Sequence, residues 1–288
     1  MSTPTSTPTS TPTSTVTLDR PRTPDAPRGE AVRRPRPFPL VRHSAALTKR
    51  SLIKTWRTPE ALIDVTLQPI VFLAIFVTIF GTAVAGSTGS YLQFLLPGIL
   101  AQTIAQGAIA IGVNLNTDLS KGIFDRFTSL PIPRSAPLLG AVLGDVVRYV
   151  IVAVVTIVTG YAMGFRIATS PLEAVAGCLL AVLFAVCLSW VSVWVGMLVR
   201  TSGAVQGIMF LIVMPLSFGS NVFVRTDDLP TWMQGFVDVN PLTHLVESMR
   251  GLFLGSPVGD HVWWTLAWCV GLVAVFMPLA LRADRRKV

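Results

Sequence analysis

The side chains best suited to ligating a metal or attacking a carbonyl are His43, His244 and His261 together with Cys178, Cys187 and Cys269. Their spacing supports neither use. The histidines are far apart, every cysteine falls inside an apolar run, and no CxxC, HExxH or GxSxG occurs. A phosphate loop requires glycine, four residues, then Gly-Lys-Ser/Thr. The nearest approach, Gly81 to Thr88 (GTAVAGST), lacks the lysine. The sequence therefore predicts no catalytic residue, no metal and no cofactor on this chain.

What remains is polarity inside long apolar segments, where an ionised side chain costs about 2.5–3.5 kcal/mol at a helix centre. Asp145 and Arg148 stand three apart, on one helical face, and are expected to form a structural ion pair. Gln102 and Gln106 stand four apart, with Thr103 beside them. Phe210, Met214 and Phe218 form a row at four-residue spacing, followed by Asn221. Amides with aromatic and thioether groups suit a cavity for a large, mostly apolar ligand. They suit interhelical packing and hydrogen bonding equally well. Glycine pairs four apart (Gly140/Gly144, Gly160/Gly164, Gly203/Gly207) permit close helix approach.

The elements carrying these residues follow from composition. Of 288 residues, 51% are hydrophobic and only 13% charged, with mean hydropathy +0.62. Soluble domains carry about 25% charged residues, so most of this chain belongs in lipid. Six apolar segments, at about 61–80, 92–113, 136–162, 174–199, 203–224 and 262–281, are long enough for a hydrocarbon core of about 30 Å. They lack the alternation of barrel strands, so helices are expected. With the N-terminus in the cytosol, twenty of the 23 Lys and Arg fall on the cytosolic side. Arg166, Arg225 and Arg250 are left outside. The net charge of +8 thus records membrane orientation, and no nucleic-acid partner is predicted. The expected fold is an all-α integral membrane protein with both termini cytosolic.

Outside the spans, residues 1–40 hold STPT repeats and nine prolines and read as a disordered cytosolic tail. Residues 41–58 read as a basic amphipathic helix lying in the interface, with Trp56 at headgroup depth. Residues 283–288 form a basic cytosolic tail. The connection after the second span, NTDLSKGIFDRFTSLPI, predicts a short cytosolic helix at about 117–130, with Asn116 or Thr117 as its cap. Its exposed phenylalanines among charges suit partner docking or burial against the bundle. The loop at about 229–255 contains two apolar-biased stretches split by Asp238 and Asn240-Pro241. Each is too short to cross, so they dip in and return or lie flat.

Taken together, YLQFLLPGIL, NTDLSKGIFDRFTSLPI, SFGSNVFV and LPTWMQGFVDVNPLTHLVESMR resemble permease subunits of the ABC-2 type, in particular those of daunorubicin/doxorubicin-resistance transporters. The likeness covers about residues 42–285. It implies a dimer of this chain with two copies of a separate ATP-binding subunit, ATP and Mg residing on that partner. It also implies export of a hydrophobic drug or lipid-like compound across the cell membrane by alternating access. On that likeness Lys121, Gly122, Phe124, Asp125, Arg126 and Phe127 would seat in the ATPase. Gln102, Gln106, Phe210, Met214 and Asn221 would line the path, and Asn240, Pro241 and His244 would form a re-entrant outer gate. The alternatives are a permease for a lipid-linked glycan or surface polymer, and a membrane binding or immunity protein with no transport cycle.

Overall fold

The computed structural model describes residues 59–122 and 135–286. The Ser/Thr/Pro tail, the amphipathic segment at 41–58, and Phe124, Asp125, Arg126 and Phe127 lie outside the described residues. Eight α-helices are described, with no strand among the described residues: α1 (Pro59–Ala85), α2 (Thr88–Ser120), α3 (Ser135–Met163), α4 (Pro171–Leu198), α5 (Ser202–Phe218), α6 (Thr231–Val239), α7 (Pro241–Leu254) and α8 (His261–Arg286). Four are long and apolar enough to cross a bilayer: α2, Leu138–Met163 of α3, α4, and His261–Ala283 of α8. Two apolar stretches are shorter, Leu67–Thr82 within α1 and α5 itself.

The helix starts are written in local chemistry. Ser87 accepts from Ser90 N at 3.1 Å to open α2. Ser170 and Glu173 form a reciprocal capping box ahead of α4, with Pro171 at the first position. Thr201 caps α5 by accepting from Ala204 N at 3.3 Å.

Two boundaries differ from the sequence expectation. The fifth apolar segment was expected to run to 224, yet α5 stops at Phe218. Pro215 weakens the last turn, and the Gly219 N–H closes it on Pro215 O at 2.8 Å. Seventeen residues give only about 26 Å of helix at 1.5 Å per residue. The second helix errs the other way. It continues through Asn116 and Thr117 to Ser120, so those residues do not begin a new helix. The Asn116 amide is taken by α4 instead: Nδ2 donates to Gly196 O at 2.9 Å and Val199 O at 2.8 Å. The turn comes later, at Lys121 and Gly122, where Gly122 has φ +65°.

Helix α2 is the hub, packing against α1, α3, α4, α5 and α7. It crosses α4 backbone to backbone at Gly112 and Gly196. A Cβ at Gly112 would lie 2.3 Å from Ser192 O, and one at Gly196 would lie 2.7 Å from Gly112 O. Ser192 Oγ threads the crossing, accepting from Gly112 N at 3.1 Å and donating to Ile109 O at 3.0 Å. Neither glycine belongs to a four-residue pair. By contrast, Gly203 and Gly207 of α5 face open space.

One end of the body gathers the α1–α2 turn, the α3–α4 turn and the whole α5–α8 connection. Tyr91 OH donates to Phe223 O at 3.1 Å, Ala168 N to Phe253 O at 2.9 Å, and Thr169 Oγ1 to Leu252 O at 2.6 Å. The predicted consequence of the α2–α4 crossing is a contrast between glycines. Gly112→Ala should lower stability by about 1–3 kcal/mol through overpacking, whereas Gly203→Ala should be neutral or stabilising by up to about 1 kcal/mol. Thermal denaturation of the purified protein in detergent measures both.

Candidate functional site

The polar residues that the sequence singles out fall into three places. Asp145 and Arg148 meet on α3, Oδ2 to Nη2 at 2.9 Å, both side chains about nine-tenths buried. The same Nη2 donates to Gly107 O of α2 at 2.5 Å, so the pair also joins two helices.

The second place is the α2 amide stripe. Gln102 is buried and its Oε1 has no hydrogen-bond partner. Gln106 accepts at 2.5 Å from Gln68 Nε2 of α1. Gln68 carries no motif, and only its position in an apolar run could have drawn notice. Phe210 does not join these amides: it is 52% exposed on α5, and Met214 is half-buried. Phe218 stacks on Phe223 at 5.4 Å between centroids, and Phe223 in turn on Phe76 of α1 at 4.7 Å.

The third place is the irregular segment after α5. Gly219, Ser220, Asn221 and Val222 are buried but not helical, so their backbone carbonyls need partners other than water. Three side chains reach Gly219 O, Asn221 O and the adjacent Phe223 O. Asn240 serves two helices at once. Its Oδ1 accepts from Leu242 N at 2.9 Å as the N-cap of α7, and its Nδ2 donates to Leu216 O at 2.8 Å and Gly219 O at 2.7 Å. The latter are the orphan carbonyls at the end of α5. Pro241 occupies the first position of α7, where its missing N–H costs nothing. Arg250 donates through Nη2 to Asn221 O at 2.8 Å and through Nε to Phe94 O at 3.2 Å. Tyr91 adds its bond to Phe223 O.

Arg250 is the centre of this arrangement. Its Nη1 pairs with Glu247 Oε1 at 2.9 Å, and its guanidinium carbon sits 3.7 Å from the Phe94 ring centroid. Asn221 Nδ2 donates to the same Glu247 oxygen. Burial pulls the guanidinium down to about 10, opposed by the Glu247 carboxylate, so it stays charged at neutral pH. Sequence reading placed Arg250 only as an external charge. Glu247 and Arg250 have the same three-residue spacing as Asp145 and Arg148, a legible signal that the loop setting obscured.

A cavity of about 650 Å³ opens beside this brace, lined among others by Gln93, Asn221, Arg225, Thr243, His244 and His261. Of the five residues expected in a path, Asn221 lines this cavity and the other four do not. Asn221 Oδ1 and Thr243 Oγ1 are buried without partners. His244 bonds His261, Nδ1 to Nδ1 at 3.1 Å, and stacks on Trp264 at 5.8 Å. Burial and then the neighbouring His261 hold His244 below the usual imidazole range, while Asp238 opposes them. Asn240, Pro241 and His244 thus lie at one end of one helix.

The description "ABC-2 type transporter" matches residues 43–254. The chain is 39% identical over 254 residues to the daunorubicin resistance ABC transporter permease protein of Streptomyces coeruleorubidus, covering 88% of this chain and 90% of that one. It is 24% identical over 244 residues to a probable doxorubicin resistance ABC transporter permease protein of Mycobacterium tuberculosis, covering 84% and 88% respectively. A putative transport permease of Cyanophora paradoxa is 26% identical, over 76% of this chain and 77% of its own.

The double duty of Asn240 generates a graded prediction. Asn240→Asp keeps the N-cap acceptor but turns a carboxylate on two carbonyls, and should cost about 1–3 kcal/mol. Asn240→Leu, which loses cap and donors together, should cost more. The ordering of thermal midpoints in detergent, wild type above Asp above Leu, is the check.

Proposed function

The chain belongs to the ABC-2 type transporter family, and we propose that it is the membrane permease that exports a hydrophobic drug, antibiotic or lipid-like compound, powered by a separate ATP-binding subunit. The observation carrying this reading is 39% identity along 88% of the chain to a daunorubicin resistance permease. In this reading six helices span the cell membrane, with α1 and α5 completing the four longer ones. Both termini are cytosolic, as the charge asymmetry favours. The α6–α7 pair is the re-entrant outer gate, held by Asn240, Pro241 and His244. Two copies of this chain pair with two ATPase subunits, which carry ATP and Mg. The segment from Lys121 through Gly122, Phe124, Asp125 and Arg126 to Phe127 docks on the ATPase and passes its closure to α2. Because α2 is the hub, a force on its Lys121 end reaches α1, α3, α4, α5 and α7. ATP binding then biases the bundle toward the outward-open state by differential affinity for it.

Two outcomes test this reading. Phe124→Ala with Arg126→Glu should abolish co-purification with the ATP-binding subunit and ATP-dependent transport, while the chain still inserts. Intact co-purification and transport would overturn the docking assignment. Gln102→Leu removes an unpartnered buried acceptor, so stability should hold or rise by up to about 1 kcal/mol. Transport should nevertheless fall several-fold if Gln102 and Gln106 line the path. A merely structural glutamine would leave transport unchanged.

A further inference from the structure

The contact between His244 and His261 joins the first turn of α7 to the first residue of α8, across the edge of the cavity. Two imidazoles that meet Nδ1 to Nδ1 at 3.1 Å can share only one proton between those atoms. The tautomers decide which ring donates, and in either assignment one Nδ1 carries the hydrogen while the other accepts. One turn further along, Ser248 and Thr265 repeat the pairing at the fourth residue after each histidine. Those hydroxyls donate to the carbonyls of His244 and His261, at 2.7 Å and 2.8 Å, leaving only a 3.4 Å contact between them. The imidazole bond is therefore the strong side-chain link across this seam.

We propose that the His244–His261 pair is a proton-operated clasp on the outer gate: it holds α7 against α8 near neutral pH and releases it in acid. The steps follow from counting protons. A proton added to the outer nitrogen of the donor ring leaves its Nδ1–H donating to the partner ring. A further proton must go to the accepting Nδ1. Both facing nitrogens then carry hydrogen, and two positive rings stand in contact. The closed state thus binds fewer protons than the open one, so acid favours opening.

The other charged groups set where this happens. Arg225 and Asp227 reach the cavity from the segment after α5, Asp238 from α6, and Glu247 and Arg250 from α7 itself. Asp260 directly precedes α8. Helix α2 contributes Ser90, Gln93 and Phe94 to the cavity, none of them ionisable, with Tyr91 behind. Helix α4, which packs on both α7 and α8, brings only Glu173, Cys178 and Cys187 as titratable groups. Glu247 is already engaged by Arg250 and Asn221, leaving Asp238 as the carboxylate that opposes His244 neutrality.

The consequence for export rests on the outer-gate reading, but the test does not, because it needs neither substrate nor ATPase. Val239→Cys and Trp263→Cys, both exposed positions flanking the seam, carry spin labels on the full chain in lipid nanodiscs. Cys178, Cys187 and Cys269 are replaced by alanine. Between about pH 8 and about pH 4.5, a longer-distance population should grow from minor to dominant, with its midpoint below the ordinary imidazole value of about 6.5. His244→Gln with His261→Gln, amides that hydrogen-bond without titrating in this range, should give one distribution at every pH. If the double variant fails to insert, His261→Gln alone should flatten the response. An unchanged wild-type distribution across the range, or an equal shift in the glutamine variants, overturns the clasp. If the clasp responds while transport ignores pH, the outer-gate reading fails and the clasp stands.

Discussion

A stretch of non-helical backbone buried inside a membrane protein must find every hydrogen-bond partner within the protein, because lipid offers none. Here that stretch is Gly219 to Val222, left behind when α5 ends at Phe218. The end of the body where α6, α7 and the α2 N-terminal turn converge is organised around that demand. Asn240, Arg250 and Tyr91 come from three separate turns of helix, and each gives at least one donor to a carbonyl of α5 or of the segment after it. Once Arg250 is committed there, its charge needs Glu247, and Glu247 in turn fixes Asn221. Of the polar groups lining the cavity at this end, Asn221, Glu247 and Arg250 belong to this network.

The opposite half of the body is held by a different principle. The α2–α4 crossing closes on two glycines and a serine, with Asn116 bonding the last carbonyls of α4. Contacts of that kind are short, dry and intolerant of added volume, and they suit helices that move as one piece. Polar side-chain links such as His244–His261 can break and re-form at little cost in packing. The division places rigidity along the hub helix and exchangeable bonds at the end where α7 meets α8.

Much of this was legible in the sequence. Low charge and six long apolar runs gave the helical membrane class, and Asn240-Pro241 marked the break between α6 and α7 within a residue or two. Asp145 and Arg148 were readable from spacing alone. What stayed hidden depended on tertiary partners. Asn116 looks like a helix cap until α4 offers carbonyls to its amide. Gly112 and Gly196 belong to no repeat, since a single crossing between distant helices leaves no periodic trace. Phe210 and Phe218 share a row with Met214, yet both are about half exposed, because periodicity names a face and not what covers it.

The proposed activity is export of a hydrophobic compound across the membrane by this chain with its ATP-binding partner. Inside-out vesicles containing both subunits, supplied with daunorubicin or doxorubicin as fluorescent probes, test it directly. Probe should accumulate only with ATP, and accumulation should be lost when either subunit is omitted. Accumulation that proceeds without ATP, or with this chain absent, would contradict it.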